Sequence, residues 1–247
     1  MAPIRRKNAT PPPSTPAFTG AIEDYLKTIY ALEQATGTAA TNDIARRLDI
    51  APPSVTWMVR RLATQGLVEY ERYRGVRLTA LGHRAALKIL RRHRIIETFL
   101  VRQLGYPWDK VDAEAERLEH AASDELVDRM AAMLNEPKVD PHGAPIPTRQ
   151  GTIAETIYQS IADLAVGDRA EVVRISDDED PERLRYLAKL GLIPGATVVV
   201  LTHAPFEGPI TVRVGRKPPG AERSIGPALA RAVLVAPNLK PGRTQNR

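Results

Sequence analysis

The spacing of hydrophobic residues divides the chain into a helical part and a strand-rich last third. Up to about residue 134, apolar side chains recur every three or four positions, which is the period of an amphipathic helix. From about residue 165, short apolar runs alternate with Gly and Pro turns, as is typical of the strands of a small barrel. The pattern predicts a mainly α-helical protein with a small β-structured domain at its C-terminal end.

Three helices and a β-hairpin are predicted for residues 21–79. Apolar residues at helical spacing mark the first helix, and Gly37 ends it. Thr41 has a side chain suited to cap the second helix, and Pro53 suits the first turn of the third. Two short apolar runs around a basic turn then predict the hairpin. The predicted helices cover 21–36, 43–48 and 54–65, and the predicted strands cover 67–70 and 76–79.

Two helices joined by a tight turn and followed by a basic hairpin are typical of a winged helix-turn-helix. A plain helical hairpin is the alternative for the helix pair alone, and the basic hairpin decides against it. The third helix would then present its exposed side chains to the major groove, while basic side chains neutralise phosphates. Trp57 is expected to pack on the wing, with contact to a thymine methyl group as the alternative. The residues predicted to contact DNA are Pro53, Ser54, Thr56, Trp57, Arg60, Arg61, Arg72 and Arg74.

An acidic helix is predicted within residues 109–125, which contain no Gly and no Pro. Glu116, Glu119 and His120 stand at i, i+3 and i+4, so their side chains share one face beside an apolar seam. Carboxylates in that position repel each other and are costly to desolvate, and a divalent cation would relieve both penalties. A solvated acidic face with a single His is the alternative, and this stretch alone does not decide between them.

Two further helices flank this acidic stretch. A long helix over 80–104, capped by Thr79, places His93 and Glu97 four positions apart, either as a ligand pair or as partners in a helix hydrogen bond. After the acidic stretch, Ser123 caps another helix whose apolar stripe suits a dimer interface. That helix is predicted over 124–134, and its stripe is Leu126, Val127, Met130 and Leu134.

The remaining segments complete a six-part organisation. Residues 152–164 are predicted as a short helix, because Ile153, Ile157 and Ile161 follow one another at steps of four. Proline-rich or polar composition predicts a linker and two disordered tails. The predicted segments are a tail at 1–19, a winged helix-turn-helix at 20–82, a helical metal-binding and dimerisation domain at 83–136, a Pro-rich linker with the short helix at 137–164, an SH3-like domain at 165–236 and a tail at 237–247.

Composition and charge narrow the functional classes. The chain has no cysteine, which excludes disulfides, thiolate metal sites and cysteine nucleophiles. No apolar run approaches the length of a membrane span and no secretory signal is present, so a cytoplasmic protein without a membrane partner is expected. Residues 43–102 hold 13 basic and 5 acidic side chains, whereas residues 109–136 hold 3 and 9. The alternation suggests a polyanion-binding unit coupled to a cation-binding unit.

Several short motifs, standing in order along the chain, resemble the DtxR/MntR family of metal-dependent transcriptional repressors over about residues 20–236. The resemblance implies a winged-helix DNA-binding domain, a helical metal-binding and dimerisation domain and a C-terminal SH3-like (FeoA-like) barrel. It also implies a homodimer that binds double-stranded operator DNA and represses metal-uptake genes, with no small-molecule substrate. The motifs are Ile22–Tyr30, Ser54–Thr56, Gly66–Val68, Leu78–Thr79, Arg92–Arg94, Glu119–His120 and Asp140–Pro147.

The resemblance also implies two metal sites. At the primary site, the iron-sensing branch has Met where this chain has Asp24 and Cys where it has Glu116. Carboxylates and one imidazole suit Mn²⁺ or Fe²⁺, and the loss of sulfur favours Mn²⁺. Lys27 stands where short manganese regulators have an acidic ligand, so two separated sites are expected instead of a close pair. The primary ligands implied are Asp24, Glu116, Glu119 and His120, and the second site would take His93, Glu97, Asp112 and Asp180.

Three other functions compete with a manganese-responsive repressor. An iron-responsive repressor of the same family would use the same residues. A winged-helix regulator that responds to an organic ligand would need no metal. A metal-dependent hydrolase would need an open coordination position, a base and a substrate cleft. The sequence offers no separate nucleophile motif, so the protein is not expected to be an enzyme.

Overall fold

The computed structural model describes residues 19–71, 74–154, 156–176, 180–215 and 220–237. Most of both predicted tails, and Arg72 at the predicted hairpin tip, lie outside the described residues. The chain divides after His83 into two compact units. The predicted fold class is confirmed: helices dominate, and a small antiparallel sheet forms the C-terminal part.

The first unit is three helices and a hairpin, as the hydrophobic pattern predicts. Leu26 and Ile29 of the first helix and Leu62 of the third are completely buried, so the apolar stripes meet in one core. Gly37 ends the first helix with a left-handed backbone, φ 79°. The elements are α1 (Gly20–Thr36), α2 (Thr41–Leu48), α3 (Pro52–Thr64), β1 (Val68–Glu71) and β2 (Gly75–Leu78).

The prediction that Thr41 caps α2 is wrong. Thr41 is the first helical residue, and Ala40 occupies the capping position with an extended backbone and no side-chain hydrogen bond. An isolated β-bridge between Ala39 and Val76 holds the preceding chain extended, so the helix starts at Thr41. The contact joins residues 37 positions apart and is invisible to local propensity.

The hairpin is fixed to α1 and leads into the next helix. β1 and β2 pair antiparallel from Val68–Leu78 to Glu71–Gly75. The backbone N–H of Leu78 donates to Oε1 of Glu33 at 3.0 Å, which ties the hairpin to α1. The hydroxyl of Thr79 accepts the Gly82 N–H at 3.1 Å, so the predicted cap of the long helix is confirmed.

The helical part of the second unit packs three helices together. Ile96 and Leu100 of the long helix contact Val111 and Ala115 of the acidic helix. Ile95 contacts Val127 and Ala131 of the third helix, which Ser123 caps by accepting the Leu126 N–H at 3.2 Å. Val127 and Leu134 of the predicted stripe are therefore used in this chain's own core, while Leu126 and Met133 are exposed. The elements are α4 (Ala80–Leu104), which contains the boundary between the units, α5 (Val111–Glu119) and α6 (Asp124–Met133).

The C-terminal part is a six-stranded antiparallel sheet with two helices. Valines of alternate strand positions, among them Val172, Val200 and Val212, form its core. Asp180 caps one helix, and Gly191 ends it. The sheet order is β3-β8-β4-β5-β6-β7. The elements are β3 (Gln159–Ser160), β4 (Arg169–Ile175), α7 (Pro181–Leu190), β5 (Thr197–His203), β6 (Ile210–Val214), β7 (Ala221–Ile225), α8 (Pro227–Ala232) and β8 (Val233–Pro237).

The helix predicted over 152–164 is wrong. Among the described residues of this segment, the helical structure is a single 3₁₀ turn at Ile161–Asp163, and the two preceding residues pair with β8 as a strand. Of the predicted apolar face, Ile161 is buried in the sheet core but Ile157 is completely exposed. A helix here would bury little apolar surface, whereas the strand gives the backbone hydrogen bonds of this segment a partner.

Candidate metal centre and DNA-reading surface

The end of α5 gathers three of the four predicted primary ligands. Glu116, Glu119 and His120 each offer one ligand atom, and these atoms lie within 4.8 Å of one another. Glu119 is completely buried, and His120 follows directly as the residue that ends the helix. A buried carboxylate beside a second carboxylate is stable only when cationic or hydrogen-bonding groups face it. The three residues come together because their spacing places them on one face of α5 and at its end, as the sequence predicts.

Asp24, the fourth predicted primary ligand, lies on α1 of the first unit. It is half-buried, between the buried side chains of Glu23 and Tyr25. Lys27 follows one helical turn later, which places an ammonium group on the same side of α1. Asp24 is thus a half-buried carboxylate and not a fully solvated surface residue.

His93 stands at the centre of the acidic groups of the second unit. Its Nδ1 lies 2.6 Å from Oε2 of Glu119 and 3.7 Å from Oε2 of Glu116. Its Nε2 lies 3.3 Å from Oδ1 of Asp112 and 3.6 Å from Oε1 of Glu97. One ring therefore faces carboxylates from both predicted metal sites.

Burial of the ring would lower the pKa of His93, but hydrogen bonds to the carboxylates of Asp112, Glu119 and Glu97 outweigh it and raise the pKa well above its ordinary value. The raised pKa reports a strongly negative surrounding. Such a surrounding favours cations in general, and the predicted donors of the second site, His93, Glu97 and Asp112, do come together there.

A third cluster of candidate ligands was missed by sequence reasoning. Glu97 also lies with Asp140 and His142, all three buried and each with a ligand atom within 4.8 Å of the others. Nε2 of His142 donates to the Trp108 carbonyl at 2.8 Å, which leaves Nδ1 as the nitrogen that faces Glu97. The only local signal is the acid-x-His spacing of residues 140–142 inside a segment predicted to be a linker.

That segment is packed against the sheet. Asp140 accepts the backbone N–H groups of His142 and Ala144 at 2.8 and 3.0 Å, which closes a tight loop. The His142 carbonyl accepts the Ile175 N–H of β4 at 2.9 Å. Gly143 has φ 87°, and a Cβ on it would stand 1.9 Å from the Val173 carbonyl oxygen. The sheet therefore holds the loop that carries two candidate ligands.

Asp180, the predicted ligand from the C-terminal part, has a capping role. Its Oδ1 accepts the backbone N–H groups of Glu182 and Arg183 at the start of α7, at 2.9 and 3.2 Å. Within the described residues, it belongs to none of the three clusters of candidate ligands.

The donor sets fit a hard or borderline divalent cation. Their ligand atoms are carboxylate oxygens and imidazole nitrogens, which suit Mn²⁺ and Fe²⁺. Glu97, Glu119 and Asp140 are buried, and removal of so many carboxylates from water is unfavourable unless cations compensate. Arg94 compensates one of them, with Nε 3.3 Å from Oδ2 of Asp140. A bound cation would neutralise the remaining excess of negative charge.

The face of α3 that points away from the core carries most of the residues predicted to contact DNA. Val55, Val59 and Leu62 are buried, which turns the opposite face of the helix to solvent. Thr56 is half-buried, and its hydroxyl donates to the Pro52 carbonyl at 3.2 Å. Trp57 is 61% exposed, which does not agree with a ring packed on the wing. The predicted contacts that are exposed are Pro53, Ser54, Trp57, Arg60, Arg61 and Arg74, the last paired with Glu71 at 3.0 Å.

A winged helix-turn-helix and clusters of buried carboxylate and imidazole groups together define a metal-regulated DNA-binding protein. The N-terminal DNA-binding domain of the iron-dependent repressor family matches residues 17–76, its metal-binding and dimerisation domain matches residues 79–148, and the FeoA domain matches residues 159–237. The chain belongs to this family of repressors, the DtxR/IdeR/MntR family.

The similar proteins include both iron-dependent and manganese-dependent repressors. The chain is 32% identical over 237 residues to the iron-dependent repressor IdeR of Mycobacterium tuberculosis, covering 86% of this chain and 95% of that protein. It is 36% identical over 116 residues to the regulator MntR of Lysinibacillus sphaericus, covering 47% and 83%. A solved manganese-dependent transcriptional repressor in complex with manganese superimposes with a TM-score of 0.80 at 40% identity, covering 87% of this chain and 99% of that one.

Family membership settles the broad function. The protein is a metal-dependent DNA-binding repressor that dimerises through its metal-binding and dimerisation domain. The expectation that it is not an enzyme is confirmed, because the family is one of transcriptional repressors. A hydrolase and a metal-independent regulator are thereby excluded. Among the described residues, no helix is long and apolar enough to cross a membrane.

Proposed function

We propose that the protein is a manganese-responsive repressor. The observation that carries the proposal is the donor chemistry: Glu116 and Asp24 supply oxygen at the positions where the iron-sensing branch has sulfur, and the chain has no cysteine at all. Oxygen donors with imidazole favour Mn²⁺ over metals that prefer sulfur. The 40% identical neighbour that binds manganese supports this choice. An iron-responsive repressor is the second candidate, supported by the 32% identity to IdeR.

The primary site is assigned to Asp24 with Glu116, Glu119 and His120. When bound, Mn²⁺ supplies two positive charges that offset the repulsion among the three carboxylates. The carboxylates belong to different units, Asp24 to the first and the two Glu residues to the second. Shared ligation would make Asp24 hold the DNA-reading unit in a fixed relation to the helices of the dimerisation domain.

The second site is assigned to Glu97 with either His93 and Asp112 or Asp140 and His142. Both arrangements need the same carboxylate, so Glu97 is the residue on which this site depends. We leave Asp180 out of the site, because its carboxylate already accepts two backbone N–H groups of α7. His93 also bonds to Glu119, which couples its position to the primary site.

The DNA-reading face of α3 is assigned to the major groove. Arg60 and Arg61 would neutralise phosphates, and the side chains near the start of the helix would face base edges. The two copies of α3 in a dimer must stand about 34 Å apart, one turn of DNA, or a multiple of it. Ligation by both units would select that spacing, so metal binding and DNA binding strengthen each other. Promoters of manganese-uptake genes, read in the cytoplasm, are the proposed targets.

A gel-shift titration tests the proposal. The full chain is titrated onto a labelled operator fragment with Mn²⁺, with Fe²⁺ under anaerobic conditions, and with a chelator. We expect Mn²⁺ to support tight binding and the chelator to abolish it. Because an oxygen and nitrogen donor set binds Fe²⁺ more tightly than Mn²⁺, the two metals are compared at saturation, where Mn²⁺ should give the higher operator affinity. Operator affinity that is the same with Mn²⁺ and with chelator would refute a metal-responsive repressor, and stronger activation by Fe²⁺ would favour the iron-responsive candidate.

A further inference from the structure

The exposed face of α3 carries a large apolar side chain that the fold does not use. Trp57 is 61% exposed, although tryptophan has more apolar surface to bury than nearly any other residue. The core side of α3 is formed by Val55, Val59 and Leu62, and Trp57 points away from it. Within the described residues, the ring therefore contributes little to the packing of the first unit, and its apolar surface is available to a partner molecule.

Arg61 holds the ring in a defined position. Its guanidinium carbon lies 5.6 Å from the centre of the Trp57 ring, one helical turn further along α3. A cation over the face of an indole is attracted by the ring electrons, and the contact limits the rotamers of both side chains. The ring is thus presented before a partner arrives, which reduces the entropy lost on binding. The charge of Arg61 remains able to reach a phosphate.

The surroundings of Trp57 select the kind of partner. α3 contains no acidic residue, and its exposed side chains near the ring are Ser54, Arg60 and Arg61, which suits a polyanion. Most groups on the major-groove edge of a base pair are hydrogen-bond donors or acceptors, and the apolar exception is the 5-methyl group of thymine. An exposed indole face is the matching surface for that methyl group.

We infer that Trp57, held by Arg61, reads a thymine methyl group in each half-site of the operator. The inference rests on the proposed placement of α3 in the major groove and goes beyond it, because it assigns one base and one atom of that base to one side chain. Burial of a methyl group is worth about a fourfold change in affinity. A dimer that reads two half-sites would show about the square of that factor.

Replacement of thymine by deoxyuridine removes only this methyl group and tests the inference on the wild-type chain. The operator is first selected from random duplexes by the full Mn²⁺-loaded chain, and each thymine is then exchanged in turn. We expect one thymine per half-site whose exchange weakens binding about fourfold, and about fifteenfold when both half-sites are changed. Equal affinity for all exchanged duplexes would overturn the inference.

Two variants test whether the preference for thymine over deoxyuridine depends on Trp57. Trp57→Gln should bind the thymine and deoxyuridine duplexes equally, whereas Arg60→Gln, on the same helix face, should weaken both and keep the difference between them. A Trp57→Gln variant that keeps the full thymine preference would also overturn the inference. Failure of the selection to yield any metal-dependent operator would instead refute the proposed function, so the two failures are distinguishable.

Discussion

Nδ1 of His93 lies 2.6 Å from Oε2 of Glu119 inside the second unit. The bond joins α4 to α5, and it joins a predicted ligand of the second site to a predicted ligand of the primary site. Nε2 of the same ring faces Asp112 and Glu97. A change at Glu119 is therefore expected to disturb both donor sets, although the residue itself is assigned to only one.

The first prediction concerns Glu119→Gln, which keeps the size of the side chain and removes its charge. Loss of this ligand should weaken Mn²⁺ binding at least about 10- to 100-fold, the range that even indirect partners of a metal site produce. Isothermal titration of the purified chain with Mn²⁺ measures the change. Glu125→Gln is the matched control, because Glu125 is exposed, pairs with Arg129 at 2.8 Å and belongs to none of the ligand clusters among the described residues. Equal Mn²⁺ affinity of Glu119→Gln and wild type would contradict the assignment.

The second prediction concerns metal choice. The double variant Asp24→Met with Glu116→Cys restores the sulfur donors of the iron-sensing branch, so its response should shift from Mn²⁺ toward Fe²⁺ or Co²⁺. The measurement is operator binding at matched free concentrations of Mn²⁺, Co²⁺ and anaerobic Fe²⁺. An unchanged order of the three metals would show that these two positions do not set selectivity.

Local sequence patterns account for the parts of the fold that depend on neighbouring residues. The stripe of α3 and the cap at Ser123 follow from spacing and side-chain chemistry alone. The local pattern at Thr41 does not predict the start of α2, because a bridge from Ala39 to the distant Val76 sets it. The helix predicted through Ile157 does not form, because Gln159 and Ser160 pair with β8 as a strand instead.

The same distinction holds for the candidate ligands: those close together in the sequence can be predicted from it, and those brought together by tertiary packing cannot. Glu116, Glu119 and His120 cluster because helical spacing places them on one face of α5 and at its end. Asp140 and His142 reach Glu97 only because the sheet holds their loop, through contacts between positions more than thirty residues apart. Such contacts depend on tertiary packing, so they cannot be predicted from the local pattern of a single sequence.

The third prediction concerns Gly143, where the loop with Asp140 and His142 meets β4. Gly143→Ala should lower the free energy of unfolding by about 2–4 kcal/mol, because it combines a left-handed backbone with a backbone clash. Gly167→Ala is the control: its φ is 93° but nothing lies within 4 Å of the added Cβ, so a loss of only about 1 kcal/mol is expected. Urea denaturation of the metal-free chain measures both. Equal losses would show that the loop is not held tightly against the sheet.

The fourth prediction concerns acid stability around β3. The side chain and backbone N–H of Ser160 donate to Asp163 at 2.7 and 2.9 Å and hold the pKa of that carboxyl below its ordinary value. The ionised carboxylate therefore stabilises the folded state above about pH 4, and this contribution is lost as the pH falls through the lowered pKa.

Asp163→Asn isolates that contribution. The variant should melt below the wild type near neutral pH, and the difference should shrink toward zero as the pH is lowered through the pKa of Asp163. Thermal melts of both proteins with chelator present, between about pH 6 and pH 3, measure the difference. A difference that does not change with pH would show that the charge of Asp163 contributes nothing to stability.

The most direct test of the central claim is the Mn²⁺ dissociation constant of the full chain with and without its operator. If Asp24 of the first unit and Glu116, Glu119 and His120 of the second bind one cation, metal and DNA must strengthen each other by the same factor. We predict that saturating operator tightens Mn²⁺ binding as much as saturating Mn²⁺ tightens operator binding. An Mn²⁺ dissociation constant that is unchanged by the operator would contradict the account.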